Sequence, residues 1–107
     1  MTNDEFKEIA LSFPQTEEAA HFDRRAFKVT KKRIFATLHE ESGIANLKLP
    51  LEDQSSFAAF GKGAVYAVPN KWGQQGWTSF EISKLPEELI IDALDSAYQA
   101  VFKAKKK

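Results

Sequence analysis

The 107-residue chain contains no cysteine, which removes disulfides, thiol nucleophiles and thiolate metal sites together. Histidine is nearly absent too. His21 and His39 stand alone, without the H-x₃-H or H-E-x-x-H spacing that a histidine metal centre needs, so no metal is expected. No run of about 18 apolar residues exists, which excludes a helical membrane span. The opening MTNDEFKEIALSF carries acids where a secretory signal would carry a basic segment and an apolar run. These absences suit a cytoplasmic protein. Net charge is missing as well: 15 basic and 15 acidic residues cancel, whereas dedicated nucleic-acid binders are usually basic overall. Phosphate-binding glycine loops and G-x-S-x-G elbows are lacking, because GKGAVY has no strand–loop–helix context. Ser12, Ser42, Ser55, Ser56, Ser79, Ser83 and Ser96 have no suggestive partner in sequence. The acid pairs Glu17–Glu18, Glu40–Glu41 and Glu87–Glu88 read as solvated charge or helix-dipole complement. The expectation is a non-enzyme without cofactor.

What is present is a core. Hydrophobic residues make up 43% of the chain and phenylalanine occurs nine times, enough to bury a single domain spanning residues 1–107. Thr2 and Glu5 form a capping-box pattern. Phe6, Ile9, Ala10 and Phe13 then recur at helical spacing, and Pro14 ends the helix. From Glu17 to Pro50 the period becomes 2, with strands in EEAAHF, AFKVT, RIFATLH and IANLKLP. Looping Thr30 to Arg33 pairs Val29 with Ile34 and Phe27 with Ala36. That register puts Phe27, Val29, Ile34, Ala36 and Leu38 on one apolar side and Lys28 opposite Phe35 on the other.

LEDQSSFAAFG reads as a short helix with acids at its start and Gly61 at its end. AVYAV and WTSFEI follow as strands joined by the polar loop PNKWGQQG. A last helix begins at Pro86, shows an Ile90, Leu94, Ala97, Tyr98, Val101 stripe, and ends in KAKKK, whose lysines suit its negative C-terminus. The fold class is α+β: a mostly antiparallel sheet, N- and C-terminal helices on one face, and a short helix inserted between strands. The other face is left with Lys28, Phe35, Thr37, Lys48 and Trp77.

Two stretches carry candidate chemistry. FDRRAFKVTKKRIF concentrates Arg24, Arg25, Lys28, Lys31, Lys32 and Arg33. On a hairpin these could straddle phosphates. Equally, strands need a solvated face, and turn lysines oppose edge-to-edge aggregation. NKWGQQGWTSF places Trp72 and Trp77 around a glycine-bearing loop, either as anchors on the core or, with Lys71, as a contact surface.

Taken in order, SFPQTEEAAHF, FKVTKKRIFATL, NLKLP, PNKWGQQGWTSFEI and LDSAYQAVFKAK resemble the MmcQ/YjbR family of small bacterial proteins. The resemblance implies a frataxin-like (CyaY-like) fold and DNA binding through a double wing of two hairpins. Carried onto this chain, the wings are Phe27–Leu38 and a segment including Lys71 to Trp77. Family members often have glycine at the first hairpin tip, where this chain has Thr30-Lys31-Lys32, so a wider and more charged tip is expected. The resulting expectation is a monomeric, non-catalytic, weak and largely sequence-nonspecific DNA binder. Arg24, Arg25, Lys28, Lys31, Lys32 and Arg33 would meet phosphate, Lys48 and Lys71 would lie at the margin, and Phe35, Trp72 and Trp77 would supply stacking or apolar contacts. Six phosphate contacts imply a log–log salt slope of roughly −5. The alternative is a protein-interaction or small-ligand module built on the tryptophan loop and the open sheet face.

Overall fold

Helix α1 (Asn3–Ser12) opens on the expected capping box: Glu5 N–H donates to Thr2 Oγ1 at 3.1 Å and Thr2 N–H to Glu5 Oε1 at 2.9 Å. Here and throughout, the structure is a computed structural model describing residues 1–103. The closing lysines Lys105, Lys106 and Lys107 lie outside those residues. The chain continues through β1 (Thr16–His21), β2 (Arg24–Val29), β3 (Ile34–His39), β4 (Ile44–Lys48), α2 (Leu51–Phe60), β5 (Val65–Ala67), α3 (Lys71–Gln74), β6 (Trp77–Glu81), a 3₁₀ turn (Ile82–Lys84) and α4 (Glu87–Phe102). The strands form one antiparallel sheet in the order β1-β2-β3-β4-β6-β5.

Strand alternation assigns the two faces. Phe27, Val29, Ala36, Leu38, Ala45, Leu47, Val65 and Phe80 point into the core with Phe6 and Ala10 of α1 and Ile90, Leu94, Ala97, Tyr98 and Val101 of α4. Helix α2 adds Phe57, edge-on to Phe80. All three long helices therefore cover one face. The loop expected between β5 and β6 contains the turn of helix α3, started by Asn70 Oδ1 accepting from Trp72 N–H at 2.9 Å.

The hairpin register differs from the sequence expectation by one residue. Phe27 pairs with Ala36 as expected, but Lys28 pairs with Ile34, so Phe35 is the extra residue of a β-bulge. A one-residue slip exchanges faces. Ile34 moves to the uncovered side, while Phe35 turns inward and packs edge-on against Phe13 and Tyr98 with no exposed surface. Burying the ring rather than the smaller isoleucine is the physical reason, since aromatic side chains bring the larger apolar area into a core. Phe35 is thus a core residue, and the expectation of a stacking contact there is corrected.

The hairpin tip is also not simply wider. Lys31 takes the left-handed conformation at φ 64° that glycine would occupy, and Lys32 N–H closes the turn on the Val29 carbonyl at 2.8 Å.

Candidate nucleic-acid interface

The sheet face opposite the helices is built from one side of each strand. Across its middle runs a row paired strand to strand: Ala19, Ala26, Thr37, Asn46, Ser79 and Tyr66. Small side chains form the floor, and Ala26, Thr37 and Ser79 are buried although no helix among the described residues lies over them. Their shielding comes from longer neighbours two residues along each strand. On one side these are Lys28, Lys48 and Trp77, with Lys48 and Trp77 directly opposite each other on β4 and β6. On the other they are Arg24, His39, Ile44 and Glu81. The face is a shallow trough walled by cations and an indole.

Alternation along β2 divides the basic block. Arg25 pairs with Leu38 and so faces the helices, where its Nε donates to Glu18 Oε2. Arg24 and Lys28 take the open face. Lys28 Nζ lies 3.9 Å from Glu17 Oε1, a loose and half-exposed pair that contributes little. Arg24 Nη1 is screened from solvent and has no hydrogen-bond partner among the described residues. At the tip, Lys32 reaches back: Nζ donates to the Phe102 carbonyl and sits 5.2 Å from the centre of the Phe102 ring. It thereby caps the negative end of α4, the role the terminal lysines were expected to fill. Lys31 and Arg33 remain exposed.

The tryptophan segment is fixed by close backbone approach. A Cβ on Gly73 would come within 1.9 Å of the Val68 carbonyl oxygen. One on Gly76 would come within 2.0 Å of the Leu49 oxygen, at a residue whose φ is already +106°. Only glycine lets this loop lie against β4 and the start of α2, which sets the first residue of β6, Trp77, beside Lys48. Gln54 Nε2 ties the same corner together by donating to the Gly73 and Trp77 carbonyls at 3.0 and 3.3 Å. Neither indole belongs to the core: Trp77 is half-buried on the open face, and Trp72 is 58% exposed on α3 with Lys71 beside it.

Of the residues named from sequence, then, Arg24, Lys28, Lys48 and Trp77 share one face, Lys31 and Arg33 project from the tip of one hairpin, and Lys71 and Trp72 lie on the loop of another. Arg25, Lys32 and Phe35 are drawn into structural contacts.

The YjbR family model matches residues 11–100. This chain belongs to the YjbR family. By structure it is similar to the crystal structure of the Deinococcus radiodurans protein DR2400, described with a DUF419 family-model domain, at a TM-score of 0.83 and 19% identity. The match covers 99% of this chain and 82% of that one, and at that identity it speaks for the fold. No curated protein matches the sequence.

This YjbR-family chain also holds a constellation that sequence reading missed. Ser42 has a partner after all. Its Oγ lies 2.7 Å from His39 Nδ1, while His39 Nε2 lies 3.2 Å from Asp23 Oδ2. The signal in sequence was His-x-x-Ser across a turn, but Asp23 arrives from the β1–β2 turn and only pairing reveals it. A serine–histidine–aspartate chain can run acyl transfer when amide donors surround the nucleophile. Here Gly43 N–H donates to the His39 carbonyl and Ile44 N–H to Ser42 Oγ. Asp23 is 74% exposed. The arrangement closes the β3–β4 turn and ties it to the β1–β2 turn. An open hollow of about 640 Å³ lies between Phe60, Lys62, Glu81, Lys84, Leu85 and Pro86, and shares Glu81 with the wall of the trough.

Proposed function

We propose that this YjbR-family protein is a non-catalytic, weak and largely sequence-nonspecific DNA-binding protein that uses the helix-free sheet face together with the hairpin tip. The observation that carries the reading is the coincidence of Arg24, Lys28, Lys48 and Trp77 on one uncovered face. Cations contact phosphate without reading sequence, which accounts for both weakness and lack of specificity in a chain of zero net charge. The committed amides around Ser42 support a role without catalysis. The contact surface differs from a hairpin alone: Arg25 and Lys32 have other partners, and Lys48 moves from the margin to the centre, opposite Trp77.

The test is fluorescence anisotropy of labelled DNA, duplex and single-stranded, at low salt. Binding that weakens with salt and is abolished in Lys28→Glu plus Lys48→Glu is the expected result. Absence of binding to either DNA form at low salt overturns the reading, as does binding that the double variant leaves unchanged.

A protein-interaction role is the second reading. It is favoured by the 94% exposure of Phe22, which occupies the β1–β2 turn at φ 59°, a strained position for a bulky residue. Tryptophan fluorescence that responds to a protein partner and not to DNA would select it.

A further inference from the structure

Resting on the nucleic-acid reading above, we infer that the helix-free face takes unpaired nucleobases, stacking neighbouring bases on Trp77 and Tyr66 and favouring single strands over duplex. Tyr66 pairs with Ser79, and Trp77 lies two residues from Ser79 on the same strand. The two aromatic residues are therefore diagonal neighbours on one face, with Cα atoms about 7–8 Å apart. Tyr66 is 37% exposed and Trp77 half-buried, so both rings hold position yet present surface. Burial and the neighbouring Glu81 raise the Tyr66 phenol above its ordinary pKa, and Glu81 is itself paired with Lys84 at 2.9 Å. That ion pair offsets the charge of the acid nearest the phenol.

Between the aromatics and the cations lies a polar reader. Ser79 Oγ donates to Asn46 Oδ1 at 2.8 Å, which leaves the Asn46 amide NH₂ as the donor presented to the trough. Lys48 stands opposite Trp77, and Lys28 lies three strands from Trp77, about 14 Å across the sheet. Phosphates flanking the stacked bases fall to those two lysines. A duplex offers none of this complementarity, since its base faces are stacked inside and a flat trough cannot enter a groove. The shared chemistry is an unpaired base with its phosphate, found in single-stranded DNA and RNA alike.

The experiment uses the full chain in a Trp72→Phe background, so that fluorescence reports Trp77 alone. Short oligothymidine, the same strand annealed to its complement, and oligouridine are titrated at low salt. The expected result is quenching of Trp77 by single strands and weaker binding of the duplex. Trp77→Ala and Tyr66→Ala should each weaken single-strand binding about tenfold to hundredfold, and Trp77→Phe much less. Circular dichroism melting confirms folding of each variant, and Tyr66→Ala carries the test should Trp77→Ala fail to fold. Equal response to thymidine and uridine strands supports the shared chemistry, and a preference names the source. Duplex bound as tightly as single strand, with Tyr66→Ala and Trp77→Phe silent and Lys31→Glu plus Arg33→Glu weakening it, overturns this inference while leaving the DNA-binding reading in place. Binding of none of the three probes overturns both.

Discussion

At Phe35 and Lys31 the sequence runs against its local rules, and both exceptions are testable. Phe35 is fully buried between Phe13 and Tyr98, so Phe35→Ala leaves a ring-sized cavity. It should cost about 3–5 kcal/mol in a urea denaturation, whatever DNA does. A loss under 1 kcal/mol would return Phe35 to the surface. Lys31 holds φ 64°, a conformation that costs an L-residue about 1–2 kcal/mol relative to glycine. Lys31→Gly should raise the denaturation midpoint, offset in part by added unfolded-chain entropy. The same change should weaken DNA binding, because it removes an exposed tip cation. Stability rising while binding falls is the pattern to look for, and no structural role for Lys31 would produce it.

Among the elements, α4 docks in part through a titratable group. Tyr98 lies at the middle of an aromatic stack with Phe13 and Phe102, and its hydroxyl donates to the Pro14 carbonyl at 2.8 Å. That bond joins the C-terminal helix to the end of α1. Burial raises the phenol above its ordinary pKa of 10.0. A raised value in the folded state means stability that is complete below the unfolded value and is lost as pH climbs through the folded one. The thermal midpoint should therefore hold near neutral pH and fall on the alkaline side of about 10. Tyr98→Phe should flatten much of that alkaline fall at the expense of about 1 kcal/mol for the lost hydrogen bond. Tyr66, raised by burial and by Glu81, leaves a residual dependence in the variant. An alkaline limb unchanged in Tyr98→Phe would remove Tyr98 as its source.

For the whole molecule, the distribution of charge decides more than its sum. Zero net charge rules out strong long-range steering toward a polyanion, so binding should show in the salt dependence of a short-range contact. Six central cations on phosphate would give a slope near −5. With Arg25 on Glu18 and Lys32 on the α4 terminus, four of them are left, Arg24, Lys28, Lys31 and Arg33; Lys48 makes five, and the slope on duplex should be about −4.5. A measured slope of about −6 or beyond would mean that those two structural contacts break on binding.

The sequence by itself determined the order of the strands and of the three long helices, the capping box of α1, the helical core stripes and the presence of an uncovered sheet face, because periodicity, capping and proline act within a few residues. It marked Lys28, Lys48 and Trp77 as polar or aromatic residues alternating with buried ones, and Arg24 as a member of the cation-rich stretch. It could not separate Arg25 from Arg24 in function, since which arginine faces the helices depends on pairing with Leu38. Nor could it find Asp23 beside His39, or Lys32 beside Phe102, 70 residues away. The bulge that exchanged Ile34 for Phe35 was equally hidden. Both registers keep an apolar residue inward, and only the space offered by Phe13 and Tyr98 decides which one fits. Local spacing sets most of the residues that share a face; the packing of distant elements decides the register at the bulge and which residues are left to bind anything.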